Sequence, residues 1–549
     1  LHYLAVEKHP FAAADLARLH AAWQEFHVLG DGLRAAWPVL TPGFHRLEFA
    51  AGRVVLTLML GDAAACLRRL RASVDAFYLD GFDPRKNPDM WSPDLFRRCA
   101  QLAAADATLA TWCVAGAVRA ALGESGFATE KRPGFGRKRE MLTGRLARPA
   151  HRAAAAAPPS ERHAVVVGAG LAGCALGERL ATRGWRVEVL DSHAAPAREA
   201  SGNLAGIVRP LLSRDDNLAS RLNRACFLHA ARAWSYLDRT GQPPRRCLDG
   251  VLQIARDAGH EARQRELAAI YPADYVRFLD RQAAGKLLGH PTAFGAWFFP
   301  GGGWASPPSL CRAQLAAGGL GVKFRGETEV ARMRRSDGLW RLYAPTGAVL
   351  AESPHVILAA GARASALAPA TGLPIRPVRG QVSHIAAGRL PSLRHAACRE
   401  GYLTPALDGM HCLGASYAYD DGAELRAEEH AGNLRRLALI LPGGEQGLEV
   451  SELSGRVGFR AATPDRLPLV GALPDPGALL DADCRLAELP RLPGLFGMLG
   501  LGSRGLVWAA LAAETLASLL DGDPPPLEGD LLDALDPGRF RLRVHRRGR

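Results

Sequence analysis

Within this 549-residue chain, the residues whose spacing speaks most directly of chemistry are Gly168-Ala169-Gly170-Leu171-Ala172-Gly173. They follow the short apolar run Ala164-Val165-Val166-Val167 and open a helical pattern that continues through Leu180. A second strand-like run, 186–190, ends at Asp191. A glycine triplet between a strand and a helix, with an acid at the end of the next strand, is built to hold a dinucleotide. Gly168 permits the tight turn, Gly170 lets a pyrophosphate approach the backbone, and Gly173 lets helix and strand pack closely. The helix N-terminus offers unpaired N–H groups to the phosphates, and Asp191 is placed for ribose hydroxyls.

Two further features separate a flavin from a nicotinamide. The run Val356-Ile357-Leu358-Ala359-Ala360-Gly361-Ala362 is a late apolar strand ending in small residues, far from the first motif. A nicotinamide domain would normally complete its sheet locally. Near the C-terminus, Gly497-Met498-Leu499-Gly500-Leu501-Gly502-Ser503-Arg504-Gly505-Leu506 is a second glycine-rich strand-to-helix turn, followed by an apolar helix over 507–520. The N-terminus of that helix would aim partial positive charge at a ring that gains negative charge on reduction. Gly361, Gly500, Gly502, Ser503 and Gly505 are therefore candidate cofactor-binding residues, and FAD is the expected cofactor.

These pieces, with Ala200-Ser201-Gly202-Asn203, Gly206, Pro210, Arg379-Gly380-Gln381, Gly401-Tyr402-Leu403-Thr404-Pro405 and Gly458-Phe459-Arg460, resemble the glycine oxidase, sarcosine oxidase and D-amino-acid oxidase superfamily. The resemblance implies amine oxidation with non-covalent FAD, and it adds Ser201 and Gly202 to the cofactor set. It implies that Arg460 binds a substrate carboxylate and that Arg504 and Tyr402 line the same pocket.

A closer resemblance is to the bacterial family of bifunctional tRNA 5-methylaminomethyl-2-thiouridine biosynthesis proteins. It is carried by Phe77-Tyr78-Leu79-Asp80-Gly81-Phe82-Asp83-Pro84-Arg85-Lys86-Asn87-Pro88-Asp89-Met90-Trp91, by Lys131-Arg132-Pro133-Gly134-Phe135-Gly136-Arg137-Lys138-Arg139-Glu140-Met141, and by Gly414-Ala415-Ser416-Tyr417. It implies tRNA as partner and the wobble uridine as target. The flavin part would remove the carboxymethyl group of 5-carboxymethylaminomethyluridine. A methyltransferase part would then methylate the exposed amine from S-adenosylmethionine. Glu7 would hold the cofactor ribose, Asp62 the adenine, and Asp80 the acceptor amine. An ordinary small-molecule glycine or sarcosine oxidase is the alternative.

The elements that must position these groups follow from the hydrophobic period. Before residue 147, strand-like runs at 1–7, 54–60, 75–79 and 108–112 alternate with helical patterns at 13–26, 95–104 and 115–123, an α/β pattern with a parallel sheet. The expected architecture is a partial class I methyltransferase Rossmann-like domain over 1–146, a linker over 147–161 rich in Ala and Pro, and a two-subdomain FAD-binding Rossmann, D-amino-acid oxidase-like domain over 162–549. Within the last, the FAD-binding part is expected at 162–250, 351–380 and 456–520, and the substrate part at 251–350 and 381–455. The chain opens without Met on a strand already under way, past the glycine-rich loop expected of a methyltransferase. This half is therefore expected to lack useful activity.

The formal charge is +13, and it comes mostly from arginine. A basic surface suits a polyanion, yet an arginine-rich composition would give the same number. The segment 131–139 interleaves cations with Phe135, as nucleic-acid binding requires. The tail 539–549 has a similar make-up and reads equally as a solvated end. None of the ten cysteines forms a CxxC pair, so no metal is expected. No apolar run is long enough for a membrane span. A cytoplasmic location follows, and oligomeric state stays open.

Overall fold

The structure is a computed structural model that describes residues 1–136, 138–147, 159–367 and 372–547. Most of the expected linker, 148–158, lies outside the described residues. The chain divides into two compact units, 1–159 with 518–530 and 160–517 with 531–549.

The first unit carries two sheets. Val54–Leu60, apolar except for Thr57, pairs in parallel with His2–Glu7 and antiparallel with Gly43–Phe49. The second sheet runs in the order Val74–Tyr78, Ala103–Thr111, Glu140–Leu146, Phe127–Pro133, and only its first pairing is parallel. The unit is therefore mixed rather than parallel. The missed antiparallel strands are those whose residues read as polar. Gly43–Phe49 contains His45 and Arg46, yet both are buried, with His45 Nε2 2.7 Å from the Thr41 carbonyl. Phe127–Pro133 carries Glu130, Lys131 and Arg132 on an exposed edge strand. The helix expected over 13–26 stops at His20, because Trp23 adopts φ −122° and ψ 73°, outside the helical region. A separate helix, His27–Ala36, follows.

The second unit is built on a six-stranded sheet in the order Val322–Arg325, Arg186–Leu190, His163–Val167, His355–Leu358, Arg491–Leu499, Leu469–Pro474. All pairings are parallel except the last. Ala164, Val165 and Val166 are completely buried, as strands covered on both faces require. The nucleotide helix, Leu171–Thr182, packs against helix Pro307–Ala317. Residues 307–325 thus stand with the nucleotide-binding layer, although the sequence pattern groups them with the substrate part. Glu514, buried in helix Gly505–Asp521, accepts ion pairs from Arg179 at 2.5 Å and Arg183 at 2.8 Å on the nucleotide helix.

An eight-stranded sheet forms the other layer. Its order is Arg277–Leu279, Ala296–Phe299, Val251–Ile254, Ala396–Cys398, Tyr402–Leu403, Met410–Gly414, Arg376–Ala386, Ser454–Ala462. Helix Ala427–Ile440 covers it through a buried network in which Arg379 pairs with Glu429 and His430 Nδ1 lies 2.7 Å from Ser383 Oγ. The C-terminal segment is not a free tail. Arg539–Arg547 is a helix anchored by buried Arg539, whose guanidinium bonds both Asp465 oxygens at 2.9 and 3.0 Å. No helix among the described residues is long and apolar enough to cross a membrane.

Candidate active site

A single cavity of about 1250 Å³ runs from the nucleotide loop to the face of the eight-stranded sheet. It lies at the C-terminal ends of parallel strands, where open α/β sheets bind ligands. Gly168, Gly170, Asp191, Ser201, Gly361, Gly500, Gly502, Ser503 and Gly505 line it together with Tyr402, Arg460 and Arg504. Five segments distant in sequence therefore converge on one space.

Local geometry explains the nucleotide end. Gly168 has φ +108°, and a Cβ there would lie 2.6 Å from the Ala359 carbonyl oxygen. Moving the loop away would strain two hydrogen bonds, Gly168 N to Leu190 O at 2.7 Å and Ala359 N to Val167 O at 2.8 Å. Gly173 does not line the cavity; a side chain there would run into the Gly168 carbonyl, so its role is helix–strand packing. Ser201 Oγ accepts from Leu171 N at 3.1 Å, at the N-terminus of the nucleotide helix. Asp191 accepts from Ala169 N at 2.7 Å and from His193 N at 2.9 Å, which holds its carboxylate beside the loop. These glycines, the helix N-terminus and the fixed carboxylate fit an adenine dinucleotide. Gly202, expected to touch the cofactor, does not line the cavity. The Arg456 guanidinium occupies the space at its Cα and bonds the Arg198 and Glu199 carbonyls, pinning the loop from behind.

The other end is cationic. Arg460 projects from strand Ser454–Ala462 across Gly380, where a side chain would displace its guanidinium. Its guanidinium carbon lies 4.4 Å from the Tyr417 ring centroid, and Nη1 donates to the carbonyls of Arg379 at 3.3 Å and Ser416 at 3.2 Å. Tyr402 OH lies 3.5 Å from Cys412 Sγ. Burial, reinforced by Cys412, pushes the Tyr402 phenol well above its usual pKa, so it remains a proton donor. Arg504 precedes helix Gly505–Asp521. Burial and then the charge of Arg209 lower its pKa to about 10. Neither Arg209, Arg460 nor Arg504 has a carboxylate within ion-pair distance among the described residues.

Sequence reasoning missed Arg209, Tyr417 and Cys398, all of which line the cavity. Tyr417 and Arg209 sit in or beside the strings that carried the resemblance. Cys398 had no local signal.

In the first unit, Glu7 ends one parallel strand opposite Leu60, and Asp62 follows the neighbouring strand. Glu7 Oε1 accepts from His9 N at 2.7 Å. Asp62 caps helix Ala63–Arg69 by accepting from Ala65 N at 3.0 Å, so part of its acceptor capacity is spent on the fold. Asp80 is exposed, just beyond Val74–Tyr78 in the other sheet. The loop that follows is held by Trp91 Nε1 donating to Phe82 O at 2.6 Å and Trp112 Nε1 donating to Gly81 O at 3.1 Å.

Comparison with known proteins places both halves. Residues 163–519 match the family described as FAD dependent oxidoreductase, and residues 24–147 match S-adenosyl-L-methionine-dependent methyltransferase. The tRNA 5-methylaminomethyl-2-thiouridine biosynthesis bifunctional protein MnmC of Azoarcus sp. (strain BH72) is 51% identical over 550 residues, covering 100% of this chain and 86% of the relative. The chain belongs to this bifunctional family. The protein of the same name from Paraburkholderia phytofirmans is 48% identical over 570 residues, again covering 100% of this chain and 86% of the relative. Among solved structures, glycine oxidase from Bacillus cereus ATCC 14579 superposes with TM-score 0.56 at 20% identity, covering 68% of this chain and 98% of that one. Glycine oxidase from Geobacillus kaustophilus gives TM-score 0.55 at 22% identity, covering 69% of this chain and 99% of that one. These structures establish the shared fold of the flavin half. FAD and S-adenosylmethionine are the cofactors of the two family halves. The expectation that the methyltransferase half is inactive finds no support in these matches.

Proposed function

We propose that this chain converts 5-carboxymethylaminomethyluridine at the tRNA wobble position, with or without 2-thiolation, first to the 5-aminomethyl and then to the 5-methylaminomethyl form. The observation that carries the oxidase step is the single cavity joining a dinucleotide loop to Arg460, Arg504 and Tyr402. The substrate is an N-substituted glycine, and its carboxylate needs a fixed cation. Arg460, set over the Tyr417 ring and anchored through Nη1, presents its remaining N–H groups to that carboxylate. The protonated Tyr402 adds a donor. Bound FAD would accept the hydride from the carbon between amine and carboxylate. Water then adds to the resulting imine, releasing a two-carbon oxo acid and the primary amine. The free amine is the acceptor for the first unit, where Asp80 orients it and draws off its proton as the methyl group arrives.

A polyanionic partner also suits the sequence segment 131–139. Phe135 is 93% exposed beside Lys131, Arg132 and Arg139, and Lys138 Nζ lies 4.3 Å from the Trp112 ring centroid. Arg546 and Arg547 extend the basic character at the exposed end of the C-terminal helix. The cytoplasm, where tRNA is modified, is the matching compartment.

The test is anaerobic mixing of the yellow protein with tRNA bearing 5-carboxymethylaminomethyluridine, followed by flavin absorbance and nucleoside analysis. Bleaching with formation of 5-aminomethyluridine is expected, with a methylated product when S-adenosylmethionine is added. Bleaching by free sarcosine or glycine but not by that tRNA would replace this reading with a small-molecule oxidase.

A further inference from the structure

Arg460 is held by what lies behind it. Its Nη1 donates to two backbone carbonyls, Arg379 O at 3.3 Å and Ser416 O at 3.2 Å, and its guanidinium sits over the Tyr417 ring. Those carbonyls belong to two paired segments. Arg379 N donates to Ala418 O at 2.9 Å, Ala418 N donates back to Arg379 O at 3.1 Å, and Ser416 N donates to Gln381 O at 3.1 Å. One carboxylate oxygen ties together the side chains of the same two residues. Glu429 Oε2, on helix Ala427–Ile440, accepts from Ser416 Oγ at 2.7 Å and from Arg379 Nη1. Ser416 Oγ in turn accepts from Gln381 N at 2.9 Å. Arg379 and Gln381 are fully buried and Ser416 nearly so, which shields these bonds from competing water. Glu429 itself does not line the cavity. Fastening helix to sheet needs only its pair with Arg379. The bond to Ser416 from the same oxygen brings in the residue that carries the second anchor of Arg460.

We propose that Glu429 is a positioning residue of the oxidase site: through Ser416 and Arg379 it fixes the two carbonyls that aim the Arg460 fork, and so sets how tightly the cavity takes the substrate carboxylate. This rests on the reading of Arg460 as the partner of that carboxylate. The sign of the effect separates positioning from charge. Removing a negative charge from the surroundings of an anion site, by itself, tightens the binding of an anion. Releasing the two carbonyls instead lets the fork turn away from bidentate geometry and weakens it.

The test uses the FAD-loaded full chain and reads binding through the flavin absorbance spectrum, so it does not depend on turnover. The probe is methoxyacetate, a carboxylate that has no amine to oxidise. Glu429→Gln keeps the shape of the side chain, and it weakens methoxyacetate by about 10-fold, the equivalent of losing one hydrogen bond to a charged group. The flavin-to-protein ratio stays at the wild-type value. Ser416→Ala leaves the pair of Glu429 with Arg379 intact and shifts affinity in the same direction by about 3- to 10-fold; it decides the matter alone if Glu429→Gln does not fold. In the Arg460→Lys background, where no fork is left to aim, Glu429→Gln adds less than about threefold. Methoxyacetate bound as tightly as in the wild type, or more tightly, by the Glu429→Gln and Ser416→Ala proteins would overturn the proposal and leave Glu429 as a fastening of helix to sheet. Fully additive losses from Glu429→Gln and Arg460→Lys would overturn it as well, because the effect would then not run through Arg460. If Arg460→Lys alone leaves methoxyacetate unchanged, the carboxylate reading of Arg460 falls and takes the proposal with it.

Discussion

Replacing Gly168 with alanine tests whether the nucleotide loop is held by sterics rather than by sequence habit. The substitution meets two costs. A residue with a Cβ at φ +108° is strained, at about 1–3 kcal/mol. The Cβ would also stand 2.6 Å from Ala359 O, 2.8 Å from Ala359 C and 3.0 Å from Ala360 Cα, all backbone atoms. Relieving that contact moves the loop by roughly half an ångström, and overpacking of this kind costs about 1–3 kcal/mol more. The movement strains the two hydrogen bonds that tie Gly168 to Leu190 and Ala359 to Val167. FAD binding would have to compress the loop again, so most of the cost falls on affinity. The expected loss is at least about 30-fold in Kd, the equivalent of about 2 kcal/mol. Gly170→Ala supplies the control. Gly170 has φ −82°, and its Cβ would meet only the Ser201 hydroxyl at 3.0 Å. That variant should keep wild-type stability and still lose FAD, because the methyl group enters the pyrophosphate path. The assay is the flavin-to-protein absorbance ratio on purification, followed by FAD titration of stripped protein and melting with and without FAD. A Gly168→Ala protein that purifies fully yellow, with Kd within about threefold of wild type, would refute the steric argument.

Three other perturbations separate the remaining parts. Arg460→Lys should retain FAD and raise KM for the modified tRNA by about 100-fold, because an ammonium on a flexible stem replaces a bidentate fork; unchanged KM with reduced FAD content would place Arg460 in the fold instead. Asp80→Asn should lower methyl transfer by about 100-fold or more while leaving flavin bleaching untouched, read as nucleoside products. Asp465→Asn removes the carboxylate beneath the C-terminal helix and leaves Arg539 buried and unpaired, a loss of about 2–4 kcal/mol in thermal or denaturant unfolding. Burial raises the Asp465 pKa, but the hydrogen bond and charge of Arg539 outweigh it, and the net pKa lies below the usual carboxylate value. Its stabilisation is therefore full above the unfolded-state value and fades as pH falls through the lower folded value. The difference between wild type and Asp465→Asn should accordingly shrink below about pH 4.

What was legible in the sequence was local. Ala164 to Gly173 specify a strand, a turn and a helix with no help from distant residues, and Asp191 comes with them. The turn at Gly500–Gly505 was readable for the same reason. What could not be read was convergence. Tyr402 and Arg460 come from neighbouring regions of one sheet, but only the pairing of Arg376–Ala386 with both Met410–Gly414 and Ser454–Ala462 brings Tyr417 under the Arg460 guanidinium. Cys398 is a lone buried cysteine in an apolar strand, and nothing in its neighbours announces a place on the cavity wall. The tail misled for the opposite reason. Its charges read as solvent-facing, whereas Arg539 is nearly fully buried against an acid 74 positions earlier.

Arg209, Arg460 and Arg504 show why a site can be found where local rules are broken. A chain optimised for stability alone would pair them, as it pairs Arg179 and Arg183 with Glu514 or Arg379 with Glu429. The same second unit thus contains buried arginines satisfied internally and others left to face a cavity. The first kind join elements: nucleotide helix to helix Gly505–Asp521, sheet to helix Ala427–Ile440. The second kind gather where those elements meet around one space. Uncompensated positive charge next to an uncharged, protonated phenol is unfavourable in an empty pocket and favourable once an anion is bound. The affinity for an anion and the instability of the unliganded site therefore have a single origin. A carboxylate ligand should therefore stabilise the flavin unit against heat.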